Sequence, residues 1–204
     1  MHIFTKSSLA AVMGFLPTVG LADFTGGYAG IAIGTISGDG KVAAESDGFD
    51  FGLGTFDLND DTSFSGFAGY QMQDGNLVYG GEIVLGRASD GGTPDASIDG
   101  LETTAVDIKG RVGYVFEDRF LAYGTAGFTQ LTTEFDVEGV DGEADADGFI
   151  FGVGVDYLMT DNIVLGAEFT RRQVEGALPE DVTGEPTDID LDVNALELRA
   201  SFKF

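Results

Sequence analysis

The chain has no cysteine, no tryptophan and a single histidine, His2, among its 204 residues. Without cysteine it can form no disulfide, and it has neither a thiol nucleophile nor a zinc–thiolate site. Basic residues are also few, since ten lysines and arginines stand against 35 acids and give a formal charge of −25. Binding to nucleic acid needs a basic surface, so the composition excludes a nucleic-acid partner.

Apolar residues and glycine are abundant instead. Hydrophobic residues make up 43% of the chain, which contains 17 phenylalanines and 32 glycines. This apolar content is too high for a disordered chain. The length suits one domain, or two small ones, with a sizeable core or a closed barrel.

Residues 1–22 have the pattern of a secretory signal peptide. Lys6 is their only basic residue, the stretch 7–16 is uncharged and mostly apolar, and Gly20 and Ala22 are small residues at the −3 and −1 positions of a cleavage site. The uncharged run that ends at Ala22 is shorter than the ~20 residues of a transmembrane helix. We therefore predict cleavage before Asp23, which leaves a domain of residues 23–204 without histidine.

Eight later segments show the alternation of side chains that is typical of β-strands. In the fourth of them Ile108 and Val112 share an apolar face, and Lys109 and Arg111 share the opposite, charged face. The other segments likewise set an apolar, aromatic face against a face of glycines and charges of both signs. We place the eight strands at 25–36, 62–72, 77–88, 101–116, 120–133, 148–159, 163–174 and 191–204.

This distribution favours an all-β fold, an eight-stranded antiparallel transmembrane up-and-down β-barrel, over a secreted soluble β-protein. A continuous apolar face suits lipid, and a face of mixed charges and glycines suits a crowded polar lumen. Only helices and closed barrels satisfy their backbone groups in lipid, and an even number of strands closes antiparallel. The lumen of eight strands is just filled by side chains, which leaves no room for a wide pore.

The predicted connections alternate between short and long. Short ones lie near 73–76, 117–119 and 160–162, as expected of periplasmic turns. Long ones near 37–61, 89–100, 134–147 and 175–190 hold seven, three, seven and six acidic residues, which is 23 of the 35, and one base, Lys41. The acidity therefore belongs to external loops, which also suit weak binding of divalent cations.

Two sets of residues are candidates for the functional regions. Inward-facing charges predict a structural ion-pair network in the lumen, formed by Glu82, Asp107, Lys109, Arg111, Asp156, Glu168, Glu197 and Arg199. All tyrosines fall near the short-turn ends of strands and predict a periplasmic aromatic girdle at the membrane surface, formed by Tyr28, Tyr70, Tyr79, Tyr114, Tyr123 and Tyr157.

An enzymatic role is not expected. A serine nucleophile generally needs an adjacent base, most often histidine, and the predicted mature chain has none. Asp107 and Glu168 could form an acid–base pair, but at this density of buried charge we expect them to take part in ion pairs. The sequence also indicates no cofactor and no dedicated metal site: in residues 143–154, the twelfth position of an EF-hand-like loop is Gly154 instead of glutamate.

The segment 148–169, which begins Gly-Phe-Ile-Phe-Gly-Val-Gly, resembles the sixth and seventh strands of small bacterial outer-membrane barrels, the opacity-like and porin-like surface antigens of alphaproteobacteria. Residues 110–123 are similar to their fourth and fifth strands. The C-terminal Phe202 and Phe204 resemble the signal that such proteins present to the barrel-assembly machinery. The resemblance implies a location in the bacterial outer membrane, contact with its lipid and lipopolysaccharide, and a structural or surface-interaction role with no surface ligand identified. A narrow porin-like channel for small solutes or ions is the alternative.

Overall fold

The computed structural model describes residues 23–46, 49–89, 102–137, 140–178 and 187–204. Side chains are described for residues 23–38, 62–87, 103–132, 146–176 and 190–204. The predicted signal peptide, residues 1–22, lies outside these ranges.

The described residues form eight β-strands that close into one barrel. Each strand pairs antiparallel with the next along the chain, and the last pairs with the first. The predicted eight-stranded antiparallel barrel is thereby confirmed. No helix within the described ranges is long and apolar enough to cross a membrane. The strands are β1 (Gly26–Ser46), β2 (Phe49–Asp74), β3 (Leu77–Ser89), β4 (Glu102–Phe116), β5 (Phe120–Val137), β6 (Val140–Leu158), β7 (Ile163–Leu178) and β8 (Thr187–Lys203).

Several strands extend well beyond their predicted ends, and here the sequence-based boundaries were wrong. β1 continues to Ser46 and β2 begins at Phe49, so most of the predicted loop 37–61 is a paired hairpin. β5 and β6 likewise remain paired up to Val137 and Val140. Strand pairing depends on backbone hydrogen bonds, whereas the apolar alternation that marked the predicted strands is required only where one face meets lipid.

The side chains of each strand alternate between an outer wall and the lumen, as the pleat requires. The outer wall carries large apolar side chains that are exposed in the isolated chain, such as Ile31 at 71%, Ile108 at 61% and Leu198 at 66%. A monomer that exposed such a band to water would aggregate, so the band needs an apolar surrounding.

The short-turn end of the lumen is closed by an apolar floor. Phe24 is fully buried, its backbone N–H donates to Gln73 Oε1 at 2.9 Å, and its carbonyl accepts from Gln71 Nε2 at 2.9 Å. The segment before β1 is thus anchored inside the barrel by both its side chain and its backbone. The floor consists of Phe24, Val78, Val115, Leu121, Tyr123, Leu158 and Val164.

Candidate functional site: the charged lumen

A cluster of buried charges fills the lumen above the apolar floor. Five strands contribute to it because each places a charged residue at an inward position of nearly the same height. Every member is at least nine-tenths buried. The cluster, called here the central network, consists of Glu82 on β3, Lys109 and Arg111 on β4, Asp156 on β6, Glu168 on β7 and Arg199 on β8.

Two glutamates share the same two cations at the centre of this network. Arg199 Nη2 lies 2.5 Å from Glu82 Oε2, and Arg199 Nη1 contacts Glu168 Oε2. Lys109 Nζ lies 3.2 Å from Glu82 Oε1 and also donates to Glu168. Buried charges are stable only when paired and hydrogen bonded, and each of these carboxylates meets at least two cations.

Arg111 connects the remaining acid to the cluster. Its Nη2 lies 2.6 Å from Asp156 Oδ2 and its Nη1 lies 3.4 Å from Glu82 Oε2. Its guanidinium carbon lies 3.8 Å from the centroid of the Tyr123 ring and 5.6 Å from that of Tyr28. The arginine is therefore held between two carboxylates and two aromatic faces, which attract a cation.

Tyr28 and Tyr123 lie in the lumen beside the central network and not in the aromatic girdle, so the girdle prediction was wrong for these two residues. They are 3% and 5% exposed. Tyr28 Oη donates to Glu82 Oε2 at 3.0 Å, and Tyr123 Oη donates to Glu168 Oε2 at 2.7 Å. Both residues occupy inward positions of their strands, and the inward side of this barrel is charged.

The other four tyrosines lie on the outer wall near the short turns. They are exposed to between 36% and 60%. At the same end the ring centroids of Phe116 and Phe120 are 5.4 Å apart, and those of Phe120 and Tyr157 are 4.8 Å apart. The residues are Tyr70, Tyr79, Tyr114 and Tyr157, and the predicted assembly-signal residues Phe202 and Phe204 are also exposed on the wall.

A second ion pair lies farther from the floor. Arg172 on β7 donates from Nη2 to Asp107 Oδ2 at 2.7 Å and from Nε to Asp107 Oδ1 at 3.3 Å. Arg172 was missed by the sequence-based prediction, although its alternation with the inward residues Glu168 and Thr170 marks it as inward. The predicted network member Glu197 forms no ion pair among the described side chains, although it interacts electrostatically with Arg172, and it accepts a hydrogen bond from Ser65 Oγ at 3.1 Å.

The lumen therefore compensates most of its own charge and leaves little room for chemistry. Among the described residues, no group of three or more histidine, cysteine, aspartate or glutamate side chains could hold a metal ion. The acidic segments predicted to bind divalent cations fall mostly on residues whose side chains are not described. The buried acids and bases can stabilise one another and block the passage between the two ends of the barrel.

The outer wall carries a shallow groove of about 960 Å³. Gly66 and Ala200 are among the small residues that line it, between larger apolar side chains. Arg87 also lines the groove. The larger apolar residues include Ile31, Ile33, Phe64, Leu85, Leu165 and Leu198.

Comparisons with known proteins agree with this architecture. The family model for the outer membrane protein beta-barrel domain matches residues 7–204. A 22 kDa outer membrane protein of Rhizobium leguminosarum bv. viciae is 34% identical over 141 residues, which are 63% of this chain and 64% of that protein, so the match spans less than two thirds of the relative.

Solved structures share the fold at low identity. Neisserial surface protein A has a TM-score of 0.60 at 16% identity, over 88% of this chain and 98% of that one. Ail of Yersinia pestis has a TM-score of 0.52 at 15% identity, over 88% of this chain and 99% of that one. OprG of Pseudomonas aeruginosa has a TM-score of 0.52 at 13% identity, over 91% of this chain and 100% of that one. The chain thus belongs to the outer-membrane β-barrel protein family, as its sequence predicts, and resides in the bacterial outer membrane.

Proposed function

We propose that this protein is a non-enzymatic structural and surface-interaction protein of the outer membrane. Its closed barrel contributes to the integrity of the envelope and holds an acidic outer region at the cell surface. The observation that carries the proposal is the filled lumen, in which Lys109 and Arg199 bridge Glu82 and Glu168 above a floor that contains Phe24.

This filling favours a structural role over a narrow channel. A solute would have to pass the apolar floor, where Phe24 is fully buried, and then separate ion pairs that lack competing water. Breaking one side of a buried ion pair costs about 3–5 kcal/mol, because it leaves an uncompensated charge. Two successive barriers of different chemistry oppose conduction more strongly than either alone.

The same packing favours a non-enzymatic role. Asp107 and Glu168, the candidate acid–base pair, are each 1% exposed and have separate cationic partners, Arg172 and the Lys109–Arg199 pair. A general acid or base must reach the proton that it transfers in a bound substrate. Carboxylates so enclosed have no access to one.

The surface partner that fits this chain is cationic. Ail has been solved in complex with the heparin analogue sucrose octasulfate, which is a polyanion. The segments beyond the apolar band of this chain instead hold 23 acids and one base, Lys41. Such a charge repels polyanions and attracts basic proteins or divalent cations. We further propose that the C-terminal Phe204 is read by the barrel-assembly machinery during insertion.

Two measurements test the proposed function. In planar bilayers the purified protein should give no discrete conductance steps, and regular steps that depend on protein concentration would favour the channel. In cells, deletion of the gene should increase sensitivity to detergent and to large antibiotics. Complementation with the wild-type gene should restore resistance. An unchanged envelope together with no binding of basic partners to intact cells would refute the role.

A further inference from the structure

The buried charges of the described lumen do not balance. Five carboxylates are buried there, and four cationic side chains are buried with them. The central network is neutral, with three acids and three bases, and Asp107 is neutralised by Arg172. The fifth carboxylate is Glu197, which is 7% exposed.

The cation that Glu197 interacts with is Arg172, but the guanidinium of Arg172 is already bonded to both carboxylate oxygens of Asp107. Among the residues whose side chains are described, Glu197 accepts one hydrogen bond, from Ser65 Oγ at 3.1 Å, and forms no ion pair. Its partner across the β7–β8 pair is another acid, Glu168, whose charge is already shared by Lys109 and Arg199. A buried carboxylate in such a place remains charged only if it gains a further positive partner.

The side chain of Glu197 crosses β1 towards β2. Gly34 on β1 pairs with Glu197 on one side and with Ser63 on the other. A Cβ atom at Gly34 would lie 2.9 Å from Glu197 Cγ, so the glycine leaves the space that this side chain fills. The carboxylate is therefore directed towards β2, where it meets the hydroxyl of Ser65, and Ser63 is the next inward residue of that strand.

One of these hydroxyls has no partner. Ser63 is 5% exposed, and its Oγ makes no hydrogen bond in the described part of the chain. Six other buried side-chain atoms likewise lack a hydrogen bond, but Ser63 Oγ differs from them because it lies across Gly34 from a carboxylate without an ion pair, which suits an occupant that the protein atoms do not supply. Ser63 pairs with Gly34 on β1, and Gly34 pairs in turn with Glu197 on β8. Along this row of paired residues the nearest charged group to Ser63 is therefore the carboxylate of Glu197.

We propose that Glu197, Ser63 and Ser65 form a binding site in the lumen for one small monovalent cation of the sodium type. Carboxylate and hydroxyl oxygens are the ligands that hard cations prefer, and water completes the coordination. A single positive charge balances the buried charges of the described lumen, whereas a divalent ion would leave an excess of positive charge there. This inference does not depend on the proposed function.

The test is urea unfolding of the full mature protein in phosphatidylcholine vesicles, with sodium chloride exchanged for choline chloride at constant ionic strength. A ligand bound only by the folded state raises the folding equilibrium constant about tenfold for each tenfold increase in concentration above its Kd. Wild type should show this dependence on sodium. Equal stability in the two salts would overturn the proposal.

Two variants and one control locate the site. Glu197→Gln should lose the response to sodium and should be at least as stable in choline as wild type, because it removes the unpaired charge. Ser63→Ala should retain the negative charge of Glu197 and shift the stabilisation by sodium to higher sodium concentrations. Glu175→Gln, an exposed acid on β7, should respond as wild type does. A full sodium response in Glu197→Gln, or an unshifted one in Ser63→Ala, would contradict the proposed ligands.

Discussion

Tyr123 on β5 lies across Gly154, its direct partner on β6, and a methyl group at Gly154 would overlap the phenol ring. The same arrangement occurs on the opposite side of the barrel, where Tyr28 pairs with Gly69 and a Cβ at that glycine would lie 2.6 Å from Tyr28 Cζ. Each tyrosine reaches its glutamate by lying over a residue that has no side chain. The two glycines therefore leave the space that the tyrosines need beside the central network, although they contribute no polar atom.

The first prediction concerns this contact. Gly154→Ala should destabilise the barrel by about 1–3 kcal/mol, the usual cost of forcing extra atoms into a packed interior. Gly124→Ala is the matched control, since a Cβ there faces outward and meets nothing closer than Gly152 O at 3.9 Å. Urea unfolding in vesicles measures both variants, and equal stability of the two would refute the packing role of Gly154.

A second prediction separates the hydroxyl of Tyr123 from its ring. Tyr123→Phe keeps the ring over Gly154 but removes the hydrogen bond to the buried Glu168, which should cost about 1–3 kcal/mol. Tyr79→Phe, at a residue 40% exposed on the outer wall, should change the free energy of unfolding by less than about 0.5 kcal/mol. If both variants unfold at the same urea concentration, the hydrogen bond contributes nothing measurable.

Much of this lumen was predictable from the sequence because alternation assigns each strand residue to one face. The charged residues on β4 were identified in this way, since Lys109 and Arg111 alternate with large apolar neighbours. Tyr28 was wrongly assigned to the outer aromatic girdle because the prediction considered only its position near the short-turn end of β1, and not which face of the strand it occupies. The alternation that puts Ile31 and Ile33 outside also puts Tyr28 inside, so the sequence contained the correct assignment.

Other features of the structure could not be predicted from the alternation alone. The backbone pairing of β1 with β2 continues to Ser46 and Phe49, through a stretch rich in glycine and acidic residues for which the sequence predicts a loop. The pairing of specific charges is also a three-dimensional property. Arg199 meets Glu82, 117 residues away in the sequence, only because the barrel closes with the particular register of β8 on β1.

The third prediction tests the shared cations. Arg199→Met should destabilise the barrel by about 3–5 kcal/mol, because Glu82 and Glu168 both lose a buried partner and the guanidinium no longer lies 3.9 Å from the Phe67 ring. Arg171→Met removes an exposed ion pair to Asp192 at 3.1 Å and should cost at most about 1 kcal/mol.

The double variant Arg199→Met with Glu168→Gln provides a further check. Removing one of the two stranded carboxylates should recover part of the stability that Arg199→Met loses. A strictly additive double variant would mean that Arg199 and Glu168 are not energetically coupled, in spite of their contact.

The fourth prediction concerns maturation. Cleavage after Ala22 would place Asp23 at the N-terminus of the mature protein, next to the buried Phe24. Lys203 Nζ donates to the carbonyl of Asp23, which holds this residue beside the end of β8. Intact mass and N-terminal sequencing of protein from outer membranes should therefore identify Asp23 as the first residue. A mature chain that begins after Phe24 would contradict both the predicted cleavage site and the floor.

The fifth prediction uses Phe24 to separate closure by the floor from closure by the central network. Phe24→Ala should destabilise the barrel by about 3–5 kcal/mol, since it opens a cavity beside Val78, Val115 and Leu121. Phe24→Leu keeps most of the volume and should cost less than about 1.5 kcal/mol. Neither variant should conduct in planar bilayers, because the ion pairs above the floor are unchanged. If Phe24→Ala opens steady conductance steps, the floor alone blocks the lumen, and the network stabilises the barrel without closing it.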